Sequence, residues 1–142
     1  FLSAEPAAAT IGGLVAAVPG GDWSALDIRE AAYLRAPVAE GTLDAPPAWA
    51  ELPEIYAVDP GLSDAQALHP ILLSYLDTVV QGFLREFGTD GVTDFFATTA
   101  GWTAILDDRA KPAYPRHQPL TRAERALCDA HIGALGLPRR SA

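Results

Sequence analysis

The chain is 142 residues long and 49% hydrophobic, with a formal net charge of −8 and a pI near 4.6. That length and apolar content suit one domain with its own core. The charge excludes a nucleic-acid partner, because phosphate binding needs clustered Lys and Arg and the only basic cluster is Pro138–Arg140; no apolar run is long enough for a membrane-spanning helix.

A single cysteine, Cys128, cannot form an intramolecular disulfide, and no charged-then-apolar leader opens the chain, so the cytoplasm is the expected address. The sequence begins at Phe1 and contains no methionine, and an N-terminal segment is expected to precede it.

Ala9–Pro19 is an apolar run closed by Pro-Gly-Gly, the pattern of a buried strand ending in a turn. Gly12 and Gly13 within it mark a bulge or a close backbone approach. Asp22–Glu30 suits a short helical turn capped by Asp22 or Ser24, with Asp27 and Glu30 on one side. An extended pattern resumes at Tyr33, placing Tyr33, Arg35 and Pro37 on one face and Leu34, Ala36 and Val38 on the other. Ala45–Pro53 is a loop, and Glu54–Pro60 is a further strand.

The remainder reads as helical. Pro70 stands at a first helical position and Gly88 past the helix end. Leu72, Tyr75, Leu76, Val79, Val80, Phe83, Leu84 and Phe87 recur at helical spacing between them. Gly82 costs this helix roughly 1 kcal/mol relative to Ala, and is tolerated most easily where another element packs tightly against it. A shorter helix over Asp90–Ala100 turns Val92, Phe95 and Phe96 inward. Gly101–Pro119 contains three prolines and forms a wrapping connection. The last helix opens on a capping box, Thr121 with Glu124, and ends at Gly136 before Pro138. The whole is one α+β domain over residues 1–142, strands first, with residues 70–142 its helical C-terminal part.

Several chemistries are poorly supported. His69, His117 and His131 stand far apart, and none has a second His or Cys at metal-ligand spacing. Thr89–Asp94 lacks the ligand series of a calcium loop. There is no glycine-rich phosphate loop and no Gly-x-Ser-x-Gly elbow. Cys128, beside Ala126 and Leu127, is expected to be packed and inert. Asp107–Arg116 is denser in charge. It is either a substrate-facing patch, with Arg109 or Arg116 clamping a carboxylate, or a lock in which both arginines pair with Asp107 and Asp108.

Trp23–Val38 gathers Asp27, Arg29, Glu30, Tyr33 and Arg35 within nine positions. A glutamate on such a turn is usually a solvated surface residue. Set beside aromatic and apolar walls, a lone carboxylate instead both takes and gives a proton near neutrality.

Residues 12–38, "GGLVAAVPGGDWSALDIREAAYLRAPV", resemble the γ-glutamylcyclotransferase-like family. In that family a Gly-containing strand leads through a turn into a Leu-Asp-x-x-Glu element, followed by an aromatic residue and an Arg. The matching positions are Gly13, Leu14, Val15, Val18, Leu26, Asp27, Glu30, Tyr33 and Arg35. A second set looks like the C-terminal extension of a bacterial branch of the family: Pro70, Ser74, Tyr75, Asp77, Gly82, Gly101, Trp102, Asp108, Arg109, Tyr114, Pro115 and Arg116. The resemblance implies a small mixed β-barrel flanked by helices. It implies cleavage of γ-glutamyl amides by internal cyclisation, releasing 5-oxoproline and a free amine or amino acid, with no metal or organic cofactor. Glu30 takes the general acid/base role, and Tyr33 walls or hydrogen-bonds the site.

Two departures accompany it. The family's N-terminal strand and Tyr-Gly-Ser substrate loop are not in this sequence, and are expected ahead of Phe1. Ala31 follows Glu30 where many relatives have Gly. The rival reading is a non-catalytic member of the fold that binds a small ligand or a protein. A third is a helical interaction domain, forming a homodimer through an exposed stripe on Ile71–Phe87.

Overall fold

The computed structural model describes residues 2–58 and 69–141. The chain divides into two compact units, residues 1–8 with 13–66 and residues 9–12 with 67–142. The first unit holds ten of the 18 acidic residues and two of the ten basic ones, so the entire net charge of −8 belongs to it. The architecture is mixed α/β, and neither sheet among the described residues closes into a barrel.

In the first unit, α1 covers Trp23–Arg29. It starts where Asp22 accepts a hydrogen bond from the Ala25 amide at 3.1 Å, one of the two caps anticipated from sequence. Strands β1, Tyr33–Pro37, and β2, Glu54–Val58, pair antiparallel from Tyr33↔Val58 to Pro37↔Glu54. The last two positions of the expected Glu54–Pro60 strand lie outside the described residues. The ribbon has two distinct faces. Leu34, Ala36, Ile55 and Ala57 line one, and Tyr33, Arg35, Glu54 and Tyr56 line the other. No described residue of this unit is buried.

The strand expected over Ala9–Pro19 does not form. The segment is irregular up to a 3₁₀ turn at Pro19–Gly21, and Ile11 and Leu14 are exposed. An apolar run becomes a strand only when a neighbour accepts its backbone hydrogen bonds, and among the described residues none pairs with it.

The second unit is a β-α-β-α-β arrangement. Strand β3, Ile71–Leu72, leads into α2, Leu73–Thr98; β4, Ile105–Asp107, follows, then α3, Arg122–Leu135, and β5, Arg139–Ser141. All three strands run parallel in the order β3-β4-β5, with β4 central. Sequence reading missed these strands, because two- or three-residue parallel strands carry no alternation to detect. The core joins Leu73, Leu76, Val80, Val92, Phe95 and Phe96 of α2 to Ile105 of β4 and Cys128 and Ile132 of α3. Each fully buried Leu, Ile or Phe contributes about 1.5–3 kcal/mol. The Phe96 ring is stacked on both sides, by Trp102 at 5.2 Å and His131 at 4.6 Å. Most of the apolar stripe of α2 packs within the unit, while Phe87 stays 37% exposed. Among the described residues no helix is long and apolar enough to cross a membrane.

Two details of the helices differ from expectation, at Pro70 and Gly82, and one agrees, at Gly88. Pro70 precedes β3, and α2 starts only at Leu73. The two expected helical stretches meet at Gly88, where a φ of 69° and ψ of −165°, which only glycine adopts comfortably, break the helix at a corner. At Gly91 a Cβ would meet the Phe87 Cβ at 2.2 Å, so this second glycine permits the close approach behind the corner. Gly82, by contrast, faces open space, and no packing requires it. The capping box and the left-handed Gly136 cap of α3 form as the sequence indicates.

These glycines separate in a simple test. Gly88→Ala should lower stability by about 2 kcal/mol through backbone strain, and Gly91→Ala should also destabilise. Gly82→Ala should raise stability by up to about 1 kcal/mol. Urea unfolding followed by far-UV circular dichroism reads all three; equal effects at Gly82 and Gly88 would remove the corner.

Candidate functional site

Two charged constellations occur, one in each unit. The first surrounds α1. Arg35 lies on the polar face of β1, directly opposite Tyr56. Its Nε donates to Asp27 Oδ1 at 2.9 Å and its Nη2 to Asp27 Oδ2 at 3.3 Å. Its Nη1 donates to Glu54. The guanidinium also lies 4.6 Å over the ring of Trp23, the first residue of α1. Tyr56 Oη donates to Asp27 Oδ1 at 2.5 Å. That bond, reinforced by Arg35, holds the Asp27 carboxyl below the usual carboxylate range. Partial desolvation, then the same bond to Asp27, pushes the Tyr56 phenol up to about 12, so it remains a donor at any ordinary pH.

Glu30 is at the C-cap of α1, one turn beyond Asp27. Its amide donates to Leu26 O at 2.9 Å, and its carbonyl accepts from the Tyr33 amide at 2.8 Å, where β1 begins. Its side chain is 21% exposed and accepts from Arg29 Nε at 2.8 Å, the Arg29 side chain being 61% exposed. Tyr33 Oη donates weakly to Leu2 O at 3.4 Å. A groove of about 530 Å³ lies at the opposite, Pro37/Glu54 end of the ribbon, between apolar Val38, Leu43 and Leu52; Glu30 does not line it.

The second constellation is Asp107–Asp108–Arg109 at the end of β4. Asp108, 2% exposed, accepts the Ser74 amide at 2.8 Å, the Ser74 hydroxyl at 2.6 Å and the Ala113 amide at 2.8 Å. It thus caps α2 from another strand, and explains why that helix starts where it does. Arg109 directs Nε and Nη2 at Asp77 of α2, at 2.7 and 2.6 Å, and Nη1 at Asp129 of α3, at 2.8 Å. Hydrogen bonding to Asp77, more than to Asp129, pushes the guanidinium pKa up against the effect of burial. Arg139 of β5 reaches Asp107 at 2.8 Å and Asp129 at 3.2 Å. Burial raises Asp107 and Asp108, but the bonds from Arg139 to the first and from Ser74 and Ala113 to the second outweigh it, leaving both lowered.

The lock expected from sequence, Arg109 and Arg116 paired with Asp107 and Asp108, does not form: Arg109 pairs with Asp77 and Asp129, Asp107 with Arg139, and Asp108 caps α2. Arg109 stands in the turn after β4, from which its side chain reaches across to the helices and not to Asp108. Arg116 lies 5.8 Å from the Tyr114 ring. Arg109 has its donors aimed at carboxylates of its own unit, while Glu30 and Tyr33 belong to the other unit. Asp77 escaped the sequence reading, although a signal existed: it sits in phase with Leu73, Leu76 and Val80, where a carboxylate demands a buried cation. Tyr56 was missed too, as its pairing with Arg35 depends on ribbon register. Among the described residues no three His, Cys, Asp or Glu side chains converge as metal ligands.

Removing one partner of a buried pair leaves an uncompensated charge. Arg109→Met should cost about 3 kcal/mol, because Asp77, whose side chain is 6% exposed, loses its counter-ion. Adding Asp77→Leu should recover part of the loss, and additive losses in chemical denaturation would deny the coupling. A pH dependence follows as well. Asp107 and Asp108 bind protons less readily folded than unfolded, so their stabilisation is complete above the ordinary value of 3.8 and is lost as the pH falls below it. Melting temperature between pH 2 and 7 should therefore drop on the acid side less steeply in Asp108→Asn than in wild type.

The chain matches no protein-family model, no curated protein and no solved structure, so its function has to be read from its own residues.

Proposed function

We propose that the protein is a cytoplasmic γ-glutamylcyclotransferase-like enzyme, with Glu30 as the single general acid/base. The observation that carries this reading is the division of roles inside Leu-Asp-x-x-Glu. Asp27 has both oxygens engaged by Arg35 and one also by Tyr56, whereas among the described residues the Glu30 carboxylate is held by an exposed arginine. A carboxylate fixed through its backbone at both sides but lightly paired at its side chain can exchange a proton with a substrate.

The chemistry needs one such group. The α-ammonium of a γ-glutamyl amide gives a proton to Glu30, and the freed nitrogen attacks the γ-carbonyl carbon. The ring C–N bond forms as the amide C–N bond breaks. Glu30 returns the proton to the departing amine, which also takes up the second proton that the ring nitrogen sheds on closure, leaving 5-oxoproline and a free ammonium. Ring closure is intramolecular, so the protein's larger contribution is to hold the reactive conformer. The finer architecture belongs to the same proposal: β1 and β2 supply two strands of a small mixed barrel. Support comes from their alternation, with Leu34 and Ile55 on a face still exposed, 53% and 39%.

The test is incubation with a panel of γ-glutamyl amino acids and γ-glutamyl amines, followed by quantification of 5-oxoproline. Glu30→Gln should lose at least about 100-fold in kcat with an unchanged melting temperature. Equal turnover by both proteins removes Glu30 from the mechanism. No turnover by wild type across the panel favours the non-catalytic binding module.

A further inference from the structure

Nothing in the proposed chemistry assigns a role to Asp27, Arg35 or Tyr56, yet they form the densest polar cluster of the first unit. Arg35 touches α1 at two heights, through the Trp23 ring at its start and the Asp27 carboxylate one turn later. It also grips Glu54 across the ribbon. Tyr56 adds a donor from β2 to the same Asp27 oxygen. A seven-residue helix has little rigidity of its own, since a nucleus of that length is marginal in water. Its orientation relative to the ribbon must come from these side chains. Glu30 follows directly, tied to α1 by its amide and to β1 by its carbonyl.

We propose that Asp27, clamped by Arg35 and Tyr56, is the positioning residue for Glu30. This rests on the acid/base reading of Glu30. The clamp fixes where α1 ends, and thereby where the Glu30 carboxylate meets the substrate ammonium. It acts on the geometry of proton transfer and not on substrate affinity. Each member has the chemistry a clamp requires. Tyr56 keeps its proton and Asp27 keeps its charge. The planar guanidinium alone can address a carboxylate through two nitrogens while lying on an indole. Lysine could not replace it.

A double-mutant cycle in the full chain tests this, using kcat for 5-oxoproline release and melting temperature together. Tyr56→Phe keeps the ring and removes one hydrogen bond. It should lower kcat about tenfold with KM within about twofold. Glu30→Asp retains a carboxylate at shorter reach, so its residual activity is measurable. If the clamp acts through Glu30, adding Tyr56→Phe to Glu30→Asp should cost much less than it costs wild type. Arg35→Lys should resemble Tyr56→Phe or be worse, and assays run well below every variant's melting temperature keep unfolding out of the comparison. Fully multiplicative losses, or an unaffected kcat in Tyr56→Phe, overturn the positioning role while leaving Glu30 as acid/base. An unaffected kcat in Glu30→Gln overturns the acid/base reading, and the positioning role with it.

Discussion

The buried carboxylate of Asp108 decides how the C-terminal unit is put together. A helix beginning inside a protein has amide donors that water cannot reach, and α2 has no side-chain cap of its own. Asp108 supplies the acceptor from the end of β4, and through Ala113 it also fixes the turn that follows. The residues on either side extend the same logic. Asp107 holds β5 through Arg139, and Arg109 holds α2 and α3 through Asp77 and Asp129. Three consecutive residues thus connect α2, α3 and β5 to the central strand. The end of a parallel sheet often hosts a ligand; here protein charges meet one another there.

The N-terminal unit works differently. It buries no described residue, and its order comes from polar side chains arranged around Arg35. Exposed pairs of this kind contribute little to stability one at a time, but together they define an orientation. The uneven charge reinforces the contrast, because the second unit balances its eight acidic residues with eight basic ones. Self-repulsion is confined to the first unit and weakens as salt is added.

What could be read from sequence was local. Asp22 at the start of α1, the Thr121–Glu124 box and Gly136 all act within four residues of themselves, and each was legible. The alternation that sets Arg35 and Leu34 on opposite faces was legible for the same reason. Long-range partners were not. The start of α2 depends on a carboxylate 34 positions away, and β3 and β5 exist only because β4 lies between them. Ala9–Pro19 misled in the other direction, since apolar composition specifies a wish to be covered and not the partner that covers it. Sequence singled out Glu30 as a candidate; only the ribbon register brought Tyr56 and Glu54 to the cluster around Asp27.

The sequence contains one cysteine and no methionine, so Cys128 holds its single sulfur atom. That atom is enclosed in the core of the second unit, 0% exposed, and burial together with the nearby Asp77 charge keeps the thiol protonated. Peroxides and disulfide reagents react with thiolates they can reach. The folded unit therefore offers oxidants no thiolate at Cys128, and oxidation of this thiol would follow opening of the core rather than cause it.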